Sequence, residues 1–141
     1  MKISTTRLIK LIDNLYQAEI SKNLKNSKIT QSQAEVLIYI KVKNEKDMEV
    51  NQIDLERALN LTNPTITGIL NRLEEKGFVK RVISKKDSRF KNVLITEEGK
   101  EELKRGKKVI DKLEKETLNY LTNEEQQQLN QLLEKLWNQM R

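Results

Sequence analysis

Apolar residues recur along this chain mostly on a helical period and change to a β-rich pattern in one short region. Leu8, Leu11, Ile12 and Leu15 fall at i, i+3, i+4 and i+7, which predicts an amphipathic helix over the first two dozen residues, ending near "KNLKNSK". "ITQSQAEVLIYIKVKN" predicts a second helix, capped by Thr30 and apolar enough through Ala34, Val36, Leu37, Ile38 and Ile40 to be central. After the polar connection "EKDMEVN", Ile53, Leu55, Ala58 and Leu59 mark a short third helix. In "NLTNPTITGILNRLEEKGFVKR" the stripe Ile66, Ile69, Leu70 and Leu73 predicts a fourth helix of about fourteen residues. Asn63 is the expected N-cap with Pro64 at the first helical position, and Gly77 fits the left-handed position just past the end.

The period then shortens. "FVKRVI" and "NVLIT" are β-rich and flank the basic, turn-forming "SKKDSRFK", which together predict a two-stranded hairpin with a charged tip. Thr96 caps a fifth helix through Leu103, Val109, Ile110, Leu113, Leu118 and Leu121. Thr122 and Glu125 have capping-box spacing and open a sixth, which carries Leu129, Leu132, Leu133, Leu136, Trp137 and Met140. The fold class that follows is mainly α with a small β-hairpin wing. Its 141 residues are one domain, with no repeat, low-complexity segment or linker. The apolar faces of the terminal helices exceed what a chain of this length covers by itself, so a partner subunit is expected.

A short helix, a tight turn, a second helix and a basic hairpin make the order of a winged helix-turn-helix, in which the second helix enters the DNA major groove and the hairpin tip reaches a minor groove. At about 100° per residue, Ile69, Leu70 and Leu73 lie within about 60° of Ile66. Thr65, Thr67, Gly68, Asn71 and Arg72 lie on the opposite half. Short polar groups let a backbone approach base edges and phosphates, and Asn and Arg suit adenine and guanine. The first turn, at Asn63 and Pro64, would sit beside a phosphate. At the tip, Arg89 with Lys85, Lys86 and Lys91 nearby suits a narrow minor groove, and Asp87 would orient Arg89 through a charge-assisted hydrogen bond. Polar helix faces and basic hairpins are each commonly no more than solvated surface; the ordered combination selects double-stranded DNA. The alternative is a winged-helix module that docks on a protein.

Charge supports this placement. The net charge is +6, and between Asn60 and Ile95 eight basic residues face three acidic ones, so most of the excess lies in the hairpin region as a footprint for a polyanion. The chain has no cysteine and no histidine, which removes disulfides, thiol redox sensing and thiolate or imidazole metal sites. No nucleophile–base pair or metal cluster is evident, so neither an enzyme nor a cofactor is expected. The longest apolar run, "VLIYI", is far below a membrane span, and a cytoplasmic protein is expected.

"ITQSQAEVLIYI", "LTNPTITGILNRLEEKGFVKR" and above all "DSRFKNVLITEEGKEEL" resemble the MarR family of bacterial transcriptional regulators, in matching order over nearly the whole chain. The resemblance implies an intertwined, obligate homodimer. Residues 1–28 and 97–141 would be its dimerisation helices and residues 30–96 its DNA-binding lobe, two recognition helices reading a pseudo-palindrome. It carries over to Thr65, Thr67, Asn71 and Arg72 on the recognition helix and to Asp87 and Arg89 in the wing. Ser88 and Phe90 depart from the commoner wing pattern, which has Arg and then a small residue at those places. "TNPTITGILNRL" is closest to repressors of multidrug efflux genes. Family members that sense peroxide through cysteine or zinc through histidine are poor guides to a chain with neither. The resemblance also implies release of DNA by a small apolar or amphipathic effector, in a pocket drawing on Leu11, Leu15, Tyr16, Val36 and Tyr39.

Overall fold

The first amides of a helix lack a carbonyl four residues back, and in this protein side chains supply the substitute. The computed structural model describes residues 2–141. Among them are helices α1 (Thr5–Asn23), α2 (Gln31–Glu45), α3 (Gln52–Leu59) and α4 (Asn63–Glu75), strands β1 (Val79–Ile83) and β2 (Lys91–Ile95), and helices α5 (Glu97–Leu118) and α6 (Asn123–Met140). Reciprocal capping boxes open α2 (Thr30 with Gln33), α3 (Asn51 with Asp54) and α6 (Thr122 with Glu125). Ser4 caps α1 by accepting from the Arg7 amide.

The expected cap of α4 is off by one residue. Thr62, not Asn63, is the N-cap: its backbone is extended and its hydroxyl accepts from the Thr65 amide. Pro64 therefore stands at the second helical position, where its fixed φ is as compatible with the helix as at the first. The link from α3 is three residues, made tight by Asn60 at φ 52°, a left-handed conformation that asparagine tolerates better than most. Gly77, at φ 79°, ends α4 in a Schellman arrangement: Phe78 N donates to Leu73 O (2.9 Å) and Gly77 N to Glu74 O (3.0 Å).

The hairpin pairs Val79 with Ile95, Arg81 with Val93 and Ile83 with Lys91. Two strands alone are marginal, so the free edge of β2 matters. Val93 N donates to Val50 O (2.8 Å), and the Asn44 amide both accepts from Ile95 N (2.9 Å) and donates to Val93 O (3.3 Å). One residue of α2 thus fixes the wing's inner edge. Gly99 lets α5 start directly against the hairpin, since a Cβ there would collide with the Phe78 carbonyl.

The structure divides into two compact units, one ending at Val109 and one running from Ile110 to Arg141. In the first, Val36, Leu37, Ile40, Val50, Leu55, Ile66, Leu70 and Leu73 are fully buried in one core that also takes in Phe78, Val93 and Leu103. Leu8, Ile12 and Leu15 on α1 remain exposed, Leu15 by 70%. In the second, Gln126 Nε2 donates to Leu118 O (2.9 Å) and Leu121 O (3.1 Å), satisfying carbonyls at the end of α5. The stripe of α6 is uncovered, with Trp137 exposed by 65%. Among the described residues no helix is long and apolar enough to cross a membrane.

Candidate nucleic-acid interface

Helix α4 buries Ile66, Ile69, Leu70 and Leu73 and turns Thr65, Asn71 and Arg72 outward, with Thr67 and Gly68 half-buried beside them. The outward side chains are held. Gln52 Nε2 of α3 donates to Thr67 Oγ1 (2.7 Å), leaving the Thr67 hydroxyl proton free to donate elsewhere. Thr65 Oγ1 lies 2.9 Å from Thr62 Oγ1. From β1, Arg81 Nη2 donates to Asn71 Oδ1 (2.8 Å) while its Nε stands 3.1 Å from Glu74 Oε2. Arg72 extends back so that a Cβ on Gly68 would have its guanidinium 3.8 Å away as the nearest heavy atom.

The first turn is less open than the sequence suggests. Pro64 brings no N–H, Thr65 N donates to Thr62 Oγ1 and Ile66 N to Thr62 O, so the Asn63 amide is what this turn offers an incoming phosphate. With a single amide available, the anion affinity of the helix end rests mainly on its dipole.

In the wing the Asp87–Arg89 pair is fully formed. Arg89 Nη2 donates to Asp87 Oδ2 (2.7 Å) and Nε to Oδ1 (3.0 Å), and the Arg89 amide also donates to Oδ1 (3.1 Å). These bonds hold the Asp87 carboxyl below its usual pKa and raise that of Arg89, whose side chain remains 82% exposed. An arginine so fixed keeps its charge outside the protein without a long side chain's freedom to lose on binding. Its guanidinium also lies 6.0 Å from the Phe90 ring centroid.

A second carboxylate, Glu49, anchors the loop from behind. It accepts from the Lys85 amide (3.0 Å) and the Ser84 hydroxyl (2.7 Å), and these bonds, backbone first, lower its pKa. Ser84 Oγ in turn accepts from the amides of Lys86 and Asp87. Lys85, Lys86 and Lys91 are exposed around this frame. Gln52, Arg81, Glu49 and Ser84 were not foreseen as site residues. Each acts across a turn or between elements, and only the three-dimensional neighbourhood reveals that.

The five residues expected to form an effector pocket are placed differently from one another. Val36 is wholly enclosed in the core, so contact with a ligand would require the core to open. Tyr39 is half-buried with the Lys43 ammonium 5.4 Å from its ring centroid; Leu11 and Tyr16 are half-buried on α1. A cavity of about 290 Å³ beside α1 lies further along the chain, lined by Ile20, Leu24, Ile29, Thr30 and Lys76 among others. Lys76 on its lining donates to Lys28 O (2.6 Å) and Gln33 Oε1 (3.2 Å). Beyond it the buried Glu102 of α5 accepts from the Lys28 amide (2.9 Å) and from Arg105 Nε (3.0 Å).

Residues 29–91 match the model of the MarR family. The Staphylococcus aureus MepR–DNA complex superposes with a TM-score of 0.85 at 25% identity, covering 98% of this chain and 99% of that one. Wild-type MarR from E. coli, in its apo form, gives 0.80 at 26% identity over 96% and 98%. MepR of S. aureus on its own, described as a transcription regulator of the multidrug efflux pump MepA, gives 0.78 at 24% over 99% and 100%, a likeness of fold.

Proposed function

We propose that this chain, which belongs to the MarR family, is a homodimeric repressor that binds a pseudo-palindromic DNA operator and lets go of it when a small apolar or amphipathic molecule binds. The observation that carries the reading is the wing tip: an arginine held by four hydrogen bonds from its side chain and backbone to one carboxylate, yet four-fifths exposed, beside a helix whose outward residues are short and hydrogen-bonding. Such rigid presentation of charge and donors has no use in solvent and a clear one against phosphates and base edges. The match to a regulator crystallised on DNA supports the same reading.

In this reading residues 30–96 are the DNA-binding lobe. Asn63, Pro64 and the lysines Lys85, Lys86 and Lys91 engage phosphates; Thr65, Thr67, Gly68, Asn71 and Arg72 face the major groove; Arg89, oriented by Asp87, enters the minor groove. Residues 1–28 and 97–141 supply the dimer helices, whose uncovered apolar residues a second copy would bury. Two recognition helices about 34–36 Å apart would read half-sites one helical turn apart. An effector need only bind better to a dimer of a different spacing, and reciprocity then makes effector and DNA antagonists. The genes controlled would be of the efflux type named for MepR, and the protein would act in the cytoplasm.

The test is a fluorescence-anisotropy titration of labelled DNA from the gene's own upstream region, at two salt concentrations, with unrelated DNA as competitor. Tight binding that resists competitor and falls steeply with salt is expected. Absence of any preferred sequence, even after selection from random DNA, would overturn the proposal.

A further inference from the structure

Arg81 lies in β1, outside the recognition helix, and its charge is spent on that helix. Its side chain is only 21% exposed, with Nη2 on Asn71 Oδ1 (2.8 Å) and Nε 3.1 Å from Glu74 Oε2. A guanidinium has donors and no acceptor, so chemistry alone fixes the Asn71 amide with its oxygen toward Arg81 and its NH2 turned away. Asn71 itself is exposed.

An unconstrained asparagine reads adenine by accepting from the base amino group and donating to N7. Here the carbonyl is engaged and stands beside a full positive charge, which repels the partially positive amino hydrogens of adenine or cytosine. The two amide protons remain available. Guanine offers two adjacent acceptors, O6 and N7, to such a group, whereas adenine offers one acceptor and one donor.

We propose that Arg81 is a specificity-determining residue that acts through Asn71: by occupying the amide oxygen it makes Asn71 a donor-only reader and sets a preference for guanine over adenine at one position of each half-site. This rests on α4 being the major-groove helix. Arg81 is a positioning residue and need not touch DNA. Its pairing with Glu74 also removes a bare carboxylate from the face that DNA approaches.

Selection from random DNA, followed by titration of the selected site and its single-base variants, tests this with wild type, Arg81→Met, Asn71→Ala and the double variant. Methionine keeps much of the buried stem and removes every donor. In wild type the half-site position whose preference is lost in Asn71→Ala should favour guanine. In Arg81→Met the ratio of adenine to guanine affinity at that position should rise about tenfold, within the usual range for one bidentate base contact. In the Asn71→Ala background Arg81→Met should leave the ratio unchanged, which a general loosening of the lobe would not do. An unchanged ratio in the folded single variant, or an equal change without Asn71, overturns the inference while wild-type operator binding stands. Failure of wild type to select any sequence overturns the DNA-binding reading and this inference with it.

Discussion

Gly68 sits in the interior of α4, where glycine is less favourable than alanine by about 0.5–1 kcal/mol because it must give up more backbone freedom. Nothing within the protein requires it. Its backbone is ordinarily helical, and an added Cβ would meet only the Arg72 guanidinium, at 3.8 Å, an ordinary van der Waals distance. Gly68→Ala should therefore stabilise the fold by about 0.5–1 kcal/mol, a rise in Tm of roughly 2–4 °C for a protein of this size. If α4 lies in the major groove, the same methyl group stands where the helix backbone comes nearest the bases. Forcing a methyl into a filled contact there costs about 1–3 kcal/mol, so operator affinity should fall on the order of tenfold or more. The two effects have opposite signs, which separates contact from damage. Melting at one fixed protein concentration, since a dimer's Tm depends on it, and anisotropy titration supply the two numbers. Gly99→Ala is the control: its Cβ would strike the Phe78 carbonyl, so it should destabilise by about 1–3 kcal/mol or more. A stabilised Gly68→Ala protein that binds its operator undiminished would refute the placement of this helix face on DNA. A destabilised one would refute the packing analysis.

Arg89→Ala should weaken operator binding and lower the slope of log affinity against log salt by about one per protomer, so by about two for the dimer, with melting nearly unchanged; a folded variant of full affinity removes Arg89 from the interface. Trp137→Glu should shift sedimentation toward monomer and abolish tight DNA binding, because it puts a charge into an exposed apolar stripe expected to be buried by a second copy; an intact dimer would place the interface elsewhere. Glu102 has a definite pH signature. Burial pushes its pKa up, but Arg105, the Lys28 amide and Ser27 together outweigh that and leave it below the ordinary 4.5. A depressed carboxylate stabilises the fold above the unfolded value and loses that contribution as pH falls through the folded value. Wild type should thus lose stability on acidification below about pH 4.5, and urea melts should show a shallower acid limb for Glu102→Gln, with lower stability than wild type at pH 7. Parallel limbs would show that Glu102 is not the group responsible.

Most of the element order was legible because its signals are local. A hydrophobic stripe, a Thr with Gln or Glu three residues on, and a Gly after the last periodic residue are each decided within a few positions, and they located α2, α4, the end of α4 and α6. The cap of α4 was misplaced by one residue because Thr62 and Asn63 are both good caps in sequence, and only the backbone conformation chooses between them. The Asp87–Arg89 pair was readable since two residues in one turn interact almost regardless of the fold. Arg81 was legible only as charge. That its donors fall on Asn71, ten positions earlier, depends on how β1 leaves Gly77, and no periodicity encodes it. Glu49 lies 35 positions from Ser84 and was invisible for the same reason. Val36 is the converse case: in sequence its apolar character suits a crevice and a core alike, and only the fold shows it wholly buried in the core.

The long-range polar contacts also constrain how an effector would act on DNA. Lys76, at the end of α4, is bonded to the loop before α2 and to Gln33 in its first turn, and the same loop is held by Glu102 of α5. At the other end, Thr67 is bonded to α3, and in the middle Asn71 and Glu74 are held by β1. From Thr67 to Lys76, α4 is therefore fastened in succession to α3, to β1 and to the start of α2. Bending or sliding α4 alone would break several of these contacts at once and leave the Arg81 guanidinium, only 21% exposed, without Asn71 and Glu74. The less costly response is for the lobe to move as one body, carrying helix and wing together. Under the proposed function, release then comes from a changed distance between two intact lobes, and the reading residues on each should keep their mutual geometry with effector bound. Amide exchange of α4 compared with and without effector would examine this directly. Protection that persists through release fits motion of the whole lobe, and protection lost selectively in α4 would mean that the helix itself gives way.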